Sequence, residues 1–182
     1  YADGIEPSTT LPSWSMAKSI LHLAIGVLVG EGRLALDTPS PIPGATLEHL
    51  LAMRDGLAWR EDYVDDTQSD VQDMLWGPGR ADMAAFVLAR PIAHPPGEAF
   101  CYSSGTTNVL SSMVADVVGR GDDYLDWLRT SVLEPGGLPS AVPKLDGAGI
   151  WVASSFCFAP AIELAALGQR LLGGGADWLP DG

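Results

Sequence analysis

A mainly helical fold with little strand is what this 182-residue sequence predicts, and three observations carry that reading. Apolar residues recur at helical spacing through most of the chain, and the stretches end in Gly or Pro. One short stretch, 151–153, has the look of a strand. Long loops rich in Pro and Gly separate the helices, and such loops on a helical scaffold are where sites are often built.

The elements follow in order. Residues 1–12 are polar, hold Pro7 and Pro12, and form an approach loop. Ser13 or Ser15 opens a helix that runs to about Gly30, where Glu31-Gly32 stops it. Residues 37–45 hold three prolines and Gly44 and form a loop; Thr46 then caps a short helix, Leu47 to Met53. Residues 54–68 are acidic and irregular, with short helices after them at 69–76 and 80–90. Pro91, Pro95, Pro96 and Gly97 break the chain, and Phe100-Cys101-Tyr102 arrives extended. Helices are expected over Thr106–Val118 and Asp122–Leu133, the second ended by Glu134-Pro135-Gly136-Gly137. Residues 139–150 are expected as loop, and a last helix spans Ala161–Leu172. Both ends read as cut, since the chain starts at Tyr1 and Gly173 to Gly182 resembles the middle of a turn. The expectation is one incomplete domain over 1–182, with no compartment assigned.

Composition excludes several functions. At 47% hydrophobic the chain can bury a core, and 18% charged residues is below the usual quarter. A net charge of −13 repels a phosphate backbone, so nucleic acid is not an expected partner. The longest apolar run, Ile20 to Gly30, is shorter than the roughly 20 residues of a membrane span and reads as a core helix, with His22 a satisfied core residue. Cys101 and Cys157 match no zinc or redox spacing and read as two buried thiols. The acidic group Glu61, Asp62, Asp65 and Asp66 lacks the Gly turn and terminal Glu of a calcium loop, so it reads as a solvated loop; no metal and no cofactor are expected.

Two segments carry candidate chemistry. Ser15-Met16-Ala17-Lys18 puts Ser15 and Lys18 one helical turn apart on one face. A serine hydroxyl needs a base to become a nucleophile, and a lysine serves if burial disfavours its charge. The pattern alone arises by chance on the order of once per chain of this length. Lysine is scarce, however: the chain has only Lys18 and Lys144, and Lys18 heads an almost wholly apolar helix, where a charge needs a reason. The second segment is Tyr102-Ser103-Ser104, on a loop entering a helix. A tyrosine there can relay a proton, and the hydroxyls can orient a nucleophile or bind substrate. The alternatives are a cap serine with a surface lysine, and an aromatic packed at a loop–helix junction.

Together these residues resemble the penicillin-recognising serine hydrolases, in the class C β-lactamase-like branch. Further stretches match in order: Leu36-Asp37-Thr38-Pro39, Leu47 to Leu57, Pro95 to Ser104, and Glu134-Pro135-Gly136-Gly137-Leu138. Detail around Ser15 and Tyr102 is most similar to β-lactamase-fold esterases and 6-aminohexanoate oligomer hydrolases. The resemblance implies an α+β fold of the β-lactamase/DD-peptidase type, of which this chain supplies mainly the helical part. It implies Ser15 as the acylated nucleophile, Lys18 and Tyr102 sharing the proton, and Ser104 as a substrate-binding residue at a position where many members carry Asn. It also implies Tyr63 as a pocket tyrosine; the alternative is a loop aromatic packed on the surface.

The expected function is therefore hydrolysis of a small-molecule ester or amide through an acyl-serine, with a β-lactam less favoured because of Ser104. A non-catalytic binding or sensing module is the competing class, and a structural helical domain the third. The family's late K-T-G or H-x-G-type strand, which supplies one oxyanion donor, has no match here. Residues 1–182 alone are thus expected to be inactive and poorly stable, with the apolar face of the Ser15 helix lacking its covering sheet.

Overall fold

The computed structural model describes residues 3–63 and 69–173. Their helices are α1 (Ala17–Gly30), α2 (Leu47–Leu51), α3 (Asp70–Trp76), α4 (Met83–Leu88), α5 (Ser104–Val118), α6 (Asp122–Leu128) and α7 (Ala161–Leu172). A 3-10 turn, Trp14–Met16, leads straight into α1, and a π-helical turn, Arg129–Leu133, prolongs α6. Three short strands, β1 (Thr10–Pro12), β2 (Val142–Pro143) and β3 (Cys157–Pro160), form an antiparallel sheet in the order β1-β3-β2.

Most helices stand where periodicity and caps put them. Ser103 caps α5 by accepting from Thr106 N–H at 2.9 Å, so the helix starts at Ser104, two residues ahead of the expected Thr106. Thr46 precedes α2, and its N–H donates to the His49 ring at 3.2 Å. Asp82 caps α4 through Ala85 N–H at 2.9 Å, so that helix begins at Met83, and a 3-10 turn over Pro78–Ala81 occupies the first part of the expected 80–90 span.

The strands correct the expectation. Residues 151–153 are not a strand: Trp151 makes an isolated bridge with Leu145, and Trp151 is wholly buried. Its indole donates to Phe156 O at 2.9 Å, and its carbonyl accepts from Ser111 Oγ at 2.7 Å. The apolar character of 151–153 therefore reflects burial of an irregular segment under α5. The sheet instead joins β1 and β2, in residues expected as loop, to β3, in a stretch given no element, with Thr10 opposite Pro160, Pro12 opposite Phe158 and Val142 opposite Phe158. Strands of two to four residues are too short to show an alternating pattern.

The core gathers Ile20, Leu21, Ala24, Ile25 and Leu28 of α1 with Val109, Leu110 and Val114 of α5, and with Val132 and Leu133 beyond α6. Ile20, Leu21, Ile25, Val27 and Leu28 are at most 5% exposed, and Leu23 and Val29 pack partly buried against the same core, so most of the apolar face of α1 is covered within this chain, contrary to expectation. Each such side chain contributes about 1.5–3 kcal/mol when fully buried. The uncovered side of α1 carries Ser19, His22 and Gly26. His22 is thus an exposed residue, not a core one, although partial burial lowers its pKa. Cys157 is buried but Cys101 only half so, and both thiols are free.

One turn depends on a glycine. Gly56 has φ +86°, and a Cβ there would lie 2.1 Å from His94 O. This close approach locks the loop before Trp59 against the Pro-rich segment that leads to Tyr102, with Ala93 N donating to Gly56 O at 2.8 Å.

Candidate active site

Sheet and helix meet at Ser13. Its N–H donates to Cys157 O at 3.0 Å and its Oγ accepts from Cys157 N at 3.3 Å, which ties the entry to α1 onto β3. Trp14 follows with φ +46°, a region where a bulky residue is strained by about 1–3 kcal/mol. That kink turns Ser15 to the surface at the head of α1, with the Trp14 ring 6.1 Å from that of Phe156.

Lys18 lies one turn on and is 8% exposed. Its Nζ reaches Ser15 Oγ at 3.3 Å, Ser104 Oγ at 3.2 Å and Ser154 O at 2.9 Å. It also stands 5.1 Å from the centre of the Tyr102 ring. No carboxylate among the described residues forms an ion pair with it. The Tyr102 hydroxyl donates to Ser15 Oγ at 2.9 Å. Ser15, Lys18, Tyr102 and Ser104, singled out along the sequence, therefore form one hydrogen-bonded cluster.

Three further residues were not expected at the site. Ser154, whose carbonyl holds Lys18, is itself held by Asn108: Ser154 N donates to Asn108 Oδ1 at 3.3 Å and Asn108 Nδ2 to Ser154 Oγ at 3.2 Å. Ser104 and Asn108 are four apart on α5 and so share a face; that spacing was legible, but not what it would meet. The third is Glu61, which is not a solvated loop acid. It accepts from Trp59 Nε1 at 2.6 Å, Ser104 N at 2.9 Å, Ser104 Oγ at 2.6 Å and Tyr63 Oη at 2.8 Å. Asp65 and Asp66, named with it in the sequence, lie outside the described residues.

Tyr63 is half exposed, and its phenol pKa is pushed up by burial, by its hydrogen bond to Glu61 and by that carboxylate's charge. With Trp14, Trp76 and Ser155 it lines a cleft of about 290 Å³ that opens onto Ser15. A larger hollow of about 570 Å³, lined by Arg80, Asp146 and Phe156 among others, shares no residue with this cleft and holds no nucleophile. A hydroxyl beside both an amine and a phenol, at the mouth of an aromatic cleft, can be deprotonated and add to a carbonyl.

Residues 3–156 match the family model described as Beta-lactamase. This chain belongs to the beta-lactamase family. Its fold agrees: a penicillin-binding protein structure from Bacillus halodurans superposes with a TM-score of 0.76 at 20% identity, over 97% of this chain and 63% of that one. A solved structure from Bacillus anthracis, provisionally named a 6-aminohexanoate-dimer hydrolase, has a TM-score of 0.79 at 22% identity, over 96% of this chain and 50% of that one. A curated relative, the 6-aminohexanoate-dimer hydrolase of Paenarthrobacter ureafaciens, is 27% identical over 96% of this chain and 48% of its own length. The beta-lactamase-family chain spans about half the length of that curated relative.

Proposed function

We propose that these residues are the nucleophile-bearing part of a serine hydrolase that cleaves an ester or a linear amide through an acyl-serine. The observation that carries this is the contact of Ser15 Oγ with both Lys18 Nζ, at 3.3 Å, and Tyr102 Oη, at 2.9 Å. Lys18, as the free amine, takes the Ser15 proton while Oγ bonds to the carbonyl carbon. The bond to the leaving oxygen or nitrogen breaks, and the Lys18–Tyr102 pair delivers the proton to it. Water then attacks the acyl-serine, gives its proton to the same pair, and restores Ser15 as the acid product leaves.

Ser104 stands where many family members carry Asn, which favours an ester or linear amide over a β-lactam. The curated relative's name points the same way, since a 6-aminohexanoate dimer is a linear amide. The apolar walls supplied by Trp14, Tyr63 and Trp76 suit an acyl or amine chain without charge at its middle. Ser15 N–H is one oxyanion donor in this reading, and no second donor is assigned among the described residues. Loss of one donor typically lowers the rate about 10²–10³-fold, so residues 1–182 alone turn over little or nothing.

The test uses the protein expressed from its full coding sequence. A fluorophosphonate labels it, and labelling vanishes in Ser15→Ala. Comparing p-nitrophenyl butyrate, a 6-aminohexanoate dimer and a chromogenic cephalosporin then ranks the substrates. A folded protein that is neither labelled nor active would be a binding module instead, and faster turnover of the cephalosporin would overturn the substrate preference.

A further inference from the structure

We propose that Glu61 is a positioning residue: it sets the direction of the Ser104 hydroxyl and thereby leaves the Lys18 lone pair free for Ser15. The proposal rests on the serine-hydrolase reading of Ser15 and Lys18.

The argument is an assignment of hydrogens. An ionised carboxylate only accepts, and a serine hydroxyl has one hydrogen. Ser104 Oγ meets Glu61 Oε1 at 2.6 Å, so its hydrogen is given to Glu61. Towards Lys18, 3.2 Å away, Ser104 can then only accept. The Ser154 carbonyl, 2.9 Å from Lys18 Nζ, also can only accept. A neutral amine has two hydrogens and one lone pair. In the free-amine form that the serine-hydrolase reading requires of Lys18, both hydrogens are used, on Ser104 and on Ser154, and the lone pair is left for Ser15 Oγ, 3.3 Å away. Ser15 Oγ accepts from Tyr102 and is therefore free to give its own hydrogen to Lys18. Without Glu61, the Ser104 hydrogen could turn to the Lys18 lone pair and compete with Ser15.

Glu61 is itself held in place. Its Oε2 accepts from the Trp59 indole at 2.6 Å and from Ser104 N, in the first turn of α5, at 2.9 Å, where the helix dipole favours a negative charge. The indole lies on α5 because residue 105 is glycine; a Cβ at Gly105 would stand 2.7 Å from the Trp59 ring. Tyr63 completes the set through Glu61 Oε1 at 2.8 Å.

Glu61→Gln tests the proposal. The indole and backbone N–H groups can only donate, so they select the amide oxygen. The amide nitrogen then faces Ser104 Oγ and Tyr63 Oη and donates to them. This reverses the Ser104 hydroxyl, whose hydrogen now points at Lys18. In the full-length protein, kcat for p-nitrophenyl butyrate and the rate of fluorophosphonate labelling fall at least about tenfold, towards the roughly 10²-fold scale of general-base catalysis, while KM stays within about threefold. Ser104→Ala removes the hydroxyl that Glu61 orients, so adding Glu61→Gln to it lowers kcat no further.

If Glu61→Gln does not fold, Glu61→Leu, which has no acceptor and no donor, gives the same kcat-selective loss. Wild-type kcat in a folded Glu61 variant would overturn the proposal. So would a raised KM at unchanged kcat, which assigns Glu61 to substrate binding, or a full additive loss in the Ser104→Ala background. Turnover that survives Ser15→Ala would instead overturn the serine-hydrolase reading.

Discussion

Tyr102 Oη lies 2.9 Å from Ser15 Oγ, although 87 positions separate the two residues along the chain. The phenol comes from the extended segment that enters α5, and the hydroxyl from the strained turn that enters α1. Two helix entries facing each other thus create a site that neither helix holds alone.

If Lys18 and Tyr102 handle the proton as proposed, removing either lowers kcat without unfolding the protein. Lys18→Ala and Tyr102→Phe each reduce turnover of p-nitrophenyl butyrate by about 10²–10⁴-fold, the usual share of a general acid or base. Circular dichroism and the urea midpoint check that the fold is kept. Loss of less than about threefold in both variants would remove Lys18 and Tyr102 from the reaction.

Asn108 ties Lys18 indirectly. It is buried and pairs with Ser154 N and Oγ, and the Ser154 carbonyl holds Lys18. Asn108→Leu leaves Ser154 N–H without its partner, which costs about 1–3 kcal/mol of stability. The urea midpoint falls accordingly, and kcat falls with it as Lys18 loses its fixed acceptor. Unchanged stability would mean that Asn108 does not brace this turn.

Gly56→Ala is destabilising by more than about 1 kcal/mol, since alanine is strained at φ +86° and its Cβ meets His94 O. Gly26→Ala provides the contrast. No atom lies within 4 Å of a Cβ at Gly26, and alanine is preferred in a helix by about 1 kcal/mol. Thermal or urea unfolding of the two variants should move in opposite directions.

Alkaline pH weakens the fold through Cys157. Burial, with a smaller contribution from Glu163, pushes its thiol pKa up to about 12 from an ordinary 9. Below pH 9 the thiol is protonated in both folded and unfolded chains and exerts no pH dependence. Between pH 9 and about 12 the unfolded chain loses this proton and the folded one does not, so stability falls as pH rises. Cys157→Ala makes the fall shallower. It does not abolish it, because burial also raises the pKa of Tyr124. An identical alkaline slope in the variant would exclude Cys157 as its source.

The helices were legible because their signals are local. Ala161–Leu172 matches its expected span, and Ser15 and Lys18 share a face because the helical period places i and i+3 together. The motif order also carried the family. His22 was misjudged because an apolar run does not say which side of the helix turns outward, and α1 keeps Ser19, His22 and Gly26 on that side.

The sequence by itself determined the helical frame, the Ser15–Lys18 pair and the membership they signal, all of which depend on neighbours within a few turns or on motif order. Only the tertiary structure decided that Glu61 and Ser154 complete the cluster. Glu61 reaches Ser104 across 43 residues and Ser154 reaches Lys18 across 136. A hydrogen bond needs atoms within about 3 Å at a suitable angle. No spacing along a chain specifies that, so a carboxylate that reads as a solvated loop acid proves to be a fourfold acceptor holding Ser104.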